Sequence, residues 1–252
     1  MTPSAPSSPP LAAVRGEIVP VLADPAADPR AREHIADGVL IVRDGHVAEC
    51  GPAAALLAKL PSGTPLADHR GRLILPGFVD THVHYPQTDI IASHGEQLLE
   101  WLERYTFPAE RRFADPAHAA EVAGFFCDEL LRNGTTTAAA FATVHPASVE
   151  ALFEAAQQRR MRLITGKVLM DRNCPDFLRD TAETGYADSQ ALIERWHNRD
   201  RLLYAITPRF APTSTPAQMA LAGRLFREHP GVFLQSHVAE NRSEVDWVAQ
   251  LH

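Results

Sequence analysis

From residue 76 onward the chain alternates short apolar runs with amphipathic stretches, and it does so five times in succession. Strand patterns fall at residues 78–83, 135–143, 162–169, 202–207 and 232–236. Helical patterns follow at 115–133, 146–160, 189–199 and 215–229, and another runs toward His252. Asp115 precedes Pro116 and Thr215 precedes Pro216, each placing a capping oxygen before a residue with no N–H to satisfy. Asn133-Gly134 supplies a helix stop. Strands joined through helices pair in parallel, because a parallel connection needs a crossover of a dozen or more residues. The spacing therefore predicts an α/β fold, a (β/α)8 barrel of which about five βα units are present. Closure takes eight, so the expectation is that residues 76–252 are a truncated barrel in the N-terminal portion of a longer protein, and that residues 1–252 made alone are poorly soluble and inactive.

The first 75 residues read differently. Residues 1–13 are Pro- and Ser-rich and are expected to form a disordered leader, since they carry too little apolar surface to offset ordering entropy. Residues 14–75 predict the N-terminal part of a small β-sandwich domain. A strand is expected at 15–21, a hairpin from 39–42 through Asp44-Gly45 to 46–48, and a short helix at 53–59.

Composition excludes several classes of partner. The net charge of −7 and the absence of a Lys/Arg run leave no electrostatic footprint for nucleic acid or anionic lipid. No apolar run is long enough for a membrane span. Cys50, Cys127 and Cys174 are widely spaced and form no CxxC, as expected of reduced thiols in the cytoplasm.

The chemistry concentrates at strand ends. His82 and His84 are two apart on the first barrel strand, so both imidazoles point to one face and can reach one metal ion. A parallel barrel opens all its strand C-termini on one mouth, where His237, after the fifth strand, can join them. Three imidazoles with room for water make a catalytic zinc shell, although the same donors also suit iron. Glu240, three residues past His237, is placed to transfer protons beside such a metal. Read alone, Gln87 is a loop polar residue, Arg209 a satisfied strand-end arginine and Phe210 a cap on the core. Trp101, Tyr105 and Phe107 are expected to pack a lid or a subunit contact, and His94, His118, His145, His197 and His229 to be solvated.

At these motifs the chain resembles the amidohydrolase superfamily, whose members carry a metal in a TIM-like barrel. Within it the segments PGFVDTHVHYPQTDIIAS, LLEWLERYTFPAERRF, RNGTTTAAAFATVH, GKVLMDRNCP, TPRFAPT and QSHVAENRSEV resemble the guanine deaminases. The resemblance implies that His82, His84 and His237 hold one Zn2+ per subunit and that Glu240 shuttles protons. It implies that Gln87, Arg209 and Phe210, with His237 and Glu240, contact a purine. Guanine would be deaminated to xanthine and ammonia by a cytoplasmic enzyme of purine catabolism, a homodimer when full length. A further histidine after strand six and an aspartate after strand eight belong to the pattern and lie outside residues 1–252. Two other readings stay open: an aminohydrolase or chlorohydrolase of another nitrogen heterocycle, and a non-catalytic assembly protein built on the barrel.

Overall fold

The structure, a computed structural model, describes residues 11–28, 31–94 and 97–251, so most of the expected leader lies outside the described residues. The chain divides into two compact units between Pro76 and Gly77.

The first unit is a four-stranded sheet of β1 (Ala12–Ile18), β2 (Ile35–Arg43), β3 (His46–Pro52) and β4 (Leu66–Ile74), in the order β3-β2-β1-β4. β2 and β3 form the expected hairpin, with Asp44 and Gly45 both at positive φ as a tight turn demands. β1, an inner strand, begins at Ala12 and ends at Ile18 rather than spanning 15–21, because pairing with β2 and β4 captures Ala13. Ala13, Val39 and Ile41 pack against Ala53 and Leu56 of the short helix α1 (Ala53–Leu56).

The second unit is a parallel sheet flanked by helices. Its strands are β5 (Phe78–His84), β6 (Thr135–Phe141), β7 (Arg162–Gly166), β8 (Val168–Leu169), β9 (Leu202–Pro208) and β10 (Phe233–Leu234). The order is β10-β9-β7-β6-β5, every pairing is parallel, and β8 pairs with β9. The crossovers run through α4 (Pro116–Arg132), α5 (Pro146–Gln158), α6 (Ala182–Trp196) and α7 (Pro216–Glu228). Asp115 and Thr215 cap their helices as expected, accepting from Ala117 and Gln218 N–H at 2.9 and 3.2 Å. Between sheet and helices lies one core, in which the small side chains Ala138 and Ala140 of β6 let Phe126, Leu152 and Phe153 pack close. The arrangement is a partial α/β barrel.

Three elements depart from the sequence expectation. The third barrel strand breaks at Lys167, whose fully buried ammonium pairs with Asp180, and the ladder resumes at β8. Helix α6 starts at Ala182 rather than 189, because Thr181 and Thr184 form a reciprocal cap and Gly185 admits close contact with Leu169. The fifth strand keeps only two ladder residues, but backbone bonds from Gln235 to Ile206 and from His237 to Arg209, each 3.0 Å, carry the parallel course onward.

Between residues 85 and 114, where the sequence pattern predicts no regular element, much of the described chain is helical. A 3₁₀ turn (Tyr85–Ile90) leads to α2 (Leu98–Trp101), a π-helical turn (Leu102–Thr106), α3 (Phe107–Arg111) and a second 3₁₀ turn. Isolated π turns favour functional sites because they re-aim the side chains that follow.

Candidate metal centre and substrate pocket

The end of β5 carries His82 and His84, and the loop after β10 brings His237 beside them. The imidazole nitrogens of the three lie within 4.8 Å of one another. Ring centroids are 5.1 Å apart for His82 and His84, 4.9 Å for His82 and His237, and 5.1 Å for His84 and His237. Phe141, at the end of β6 and 1% exposed, floors the group: its ring stacks on His84 at 4.6 Å and touches His237 at 4.4 Å. The Ala-rich pattern of β6 gave no hint of that role.

Hydrogen bonding fixes the orientation of His237. Its Nδ1 is 2.8 Å from the carbonyl oxygen of Arg209, which can only accept, so Nδ1 carries the proton and Nε2 presents a lone pair. That Nε2 faces His84 Nε2 at 3.0 Å. At this separation the His237 lone pair meets either an Nε2–H of His84 or a cation lying between the two rings. Burial, aided by the charges of Arg209 and the neighbouring imidazoles, holds His84 well below the ordinary histidine range; burial also lowers His237. Both rings are therefore neutral at physiological pH, the form that binds metal. The donor set fits a divalent ion such as zinc.

A cavity of about 290 Å³ opens over this cluster, close to the lower end of the roughly 300–1,000 Å³ usual for small-molecule sites. His82, His84, Gln87, Arg209, Phe210, His237 and Glu240 all line it, so the residues singled out in the sequence share one pocket. Leu98, Trp101 and Leu102 complete the wall. Trp101 lines the pocket, and Phe107 is buried with its ring against the Arg209 guanidinium. Their helical spacing could not separate these uses.

Two carboxylates support the pocket from behind. Glu110, fully buried on α3, pairs with Arg209, which is 3% exposed. Burial raises the Glu110 carboxyl while the guanidinium pulls it down. Glu244, 2% exposed in the first turn of α8 (Arg242–Leu251), accepts N–H bonds from Ala239, Glu240 and Asn241 at 3.1, 2.7 and 3.4 Å. Ala239 sits at φ 55°, and this clamp holds the left-handed turn that presents Glu240. The Asn241-x-x-Glu244 spacing is a capping signal that the sequence reading passed over.

Of the other histidines, His94 is exposed as expected, whereas three are less exposed than expected. His118, His145 and His197 each bury a ring nitrogen that has no hydrogen-bond partner, and His197 Nδ1 accepts from Tyr204 N–H at 3.0 Å. They remain apart from the metal cluster, which among the described residues contains only His82, His84 and His237.

Comparison with known proteins agrees with this geometry. The family model described as "Amidohydrolase family" matches residues 73–252. The guanine deaminase of Escherichia coli (strain K12) is 52% identical over 96% of this chain and 56% of its own length. The solved E. coli guanine deaminase superposes with a TM-score of 0.92 at 52% identity, over 95% of this chain and 56% of that one. The C. acetobutylicum guanine deaminase, solved with guanine bound in its active site, gives 0.86 at 31% identity over 96% and 56%. The chain spans about half the length of the relatives it matches. On the match from residue 73 to 252, with three histidines converging at the sheet's C-terminal ends, the chain belongs to the amidohydrolase family.

Proposed function

We propose that the protein deaminates guanine hydrolytically to xanthine and ammonia, as a cytoplasmic homodimer loaded with one zinc ion per subunit. The observation that carries this reading is a single cavity combining three imidazoles, a carboxylate, an amide, a guanidinium and an aromatic ring. Similarity to guanine deaminases over nearly the whole of this chain supports the choice of ring.

His82, His84 and His237 would hold the metal, which supplies water with a pKa lowered to about 7. The protein's own residues do the rest. Arg209 and Gln87 offer hydrogen bonds to the edges of the base, and Phe210 offers an apolar contact to its flat face. Glu240 takes a proton from the attacking water and delivers it to a ring nitrogen as the C2–O bond forms. It then takes the remaining proton from the oxygen added at C2 and passes it to the exocyclic amine; the C2–N bond breaks, the carbonyl forms, and ammonia leaves. Guanine and water are thereby converted to xanthine and ammonia with no other reactant.

The test is metal analysis together with ammonia and xanthine release from guanine, adenine, cytosine and a chlorotriazine, using the full-length gene product. Zinc with preferential turnover of guanine is expected. Faster turnover of the triazine or of another base would replace the substrate named here.

A further inference from the structure

Arg209 is held more tightly than its role as a cavity-lining side chain requires. Its Nη1 donates to both oxygens of Glu110, each at 2.9 Å, and its Cζ lies 5.4 Å from the centroid of the Phe107 ring. Nη2 and Nε have no hydrogen-bond partner among the described residues, and the side chain lines the cavity. A planar guanidinium fixed at one nitrogen and one face can aim its remaining N–H edge in only one direction. Glu110 and Phe107 both come from α3, immediately after the π-helical turn, so this helical arm sets that direction.

Resting on the deamination proposed above, we infer that Glu110 is a positioning and specificity residue, holding Arg209 so that its free N–H edge donates to the ring carbonyl of a 6-oxopurine. The pairing also leaves Arg209 and Glu110 without net charge between them. The cavity then offers directed donors suited to a neutral carbonyl rather than a bare positive charge that would favour anions.

The experiment compares guanine with 2-aminopurine, which keeps the reacting amine and lacks the 6-oxo group. Both are measured on metal-loaded full-length wild type, Glu110→Gln and Glu110→Asp; where 2-aminopurine turns over too slowly, its inhibition constant against guanine is used. Glu110→Gln should lower kcat/KM for guanine at least about tenfold, chiefly through KM, and shift 2-aminopurine by no more than about twofold, as expected for loss of one charge-assisted hydrogen bond. Glu110→Asp, which keeps the charge on a shorter arm, should fall between wild type and Glu110→Gln in its preference for guanine. Metal content should not change. If both substrates fall together, so that their ratio stays at the wild-type value, Glu110 has no positioning role. Should Glu110→Gln fail to fold, the ratio for Glu110→Asp decides alone. A wild type that releases no ammonia from guanine refutes the functional reading itself, whereas an active wild type with an unchanged ratio in the variants refutes only the role of Glu110.

Discussion

Arg209 serves two neighbouring sites with two parts of one residue: its carbonyl oxygen accepts the Nδ1–H of His237 at 2.8 Å, and its guanidinium lines the substrate cavity. The backbone contact survives any side-chain replacement. Arg209→Lys should therefore keep full metal content while raising KM for guanine about tenfold or more, since an ammonium cannot reproduce the fork held by Glu110. Metal analysis alongside steady-state kinetics separates the two effects, and loss of metal would show that the side chain also shapes the imidazole cluster.

Glu240 lines the cavity beside His237 and is assigned the proton transfers. Glu240→Gln preserves its size and removes its basicity. Turnover should drop by roughly 100- to 10,000-fold, the range general acid–base catalysis contributes, with metal retained. Near-normal turnover would remove Glu240 from the chemistry.

Glu244 does not line the cavity and yet holds three backbone N–H groups of the turn that presents Glu240. Glu244→Ala leaves those donors without their partner, at a cost of about 1–3 kcal/mol for a buried group. The expected signs are a lower midpoint in thermal denaturation and a fall in kcat larger than the change in KM. A variant with the wild-type kcat would make the clamp purely structural.

The three thiols should differ sharply in reactivity. Cys127 is fully buried and burial pushes its thiol up to about 12, while Cys174 is raised to about 11, also chiefly by burial. Because only the thiolate reacts, about one molecule in 10,000 would carry ionised Cys127 at pH 8, and about one in 1,000 ionised Cys174. Cys50 is partly exposed, and burial raises it less far. Alkylation of native protein at pH 8, followed by peptide mapping, should label Cys50 first and Cys127 only after denaturant is added. Raising the pH should speed labelling of all three, because each thiol lies above its ordinary range. Prompt labelling of Cys127 in native protein would contradict its burial.

Much of the architecture was legible in the residues. Alternating strand and helix patterns after residue 76, Asp115-Pro116, Thr215-Pro216 and Asn133-Gly134 each encode local geometry, and outside α6 and residues 85–114 the elements appear within a few residues of their expected places. The break at Lys167 and the early start of α6 were missed because they depend on Asp180 and Leu169 across the fold. Residues 85–114 were missed because a helix that includes a π turn has no single period to detect.

The same division runs through the site. By itself the sequence determined which chemistry is present, since metal-ligating, basic and base-recognising side chains are properties of residue type and of strand-end position. Tertiary structure alone decided how that chemistry is held. His84 and His237 are 153 residues apart and face each other at 3.0 Å; Glu110 and Arg209 are 99 apart and form one buried pair. A tautomer, the aim of a guanidinium and the presentation of Glu240 are each set by hydrogen bonds and burial, and those exist only once the chain has packed.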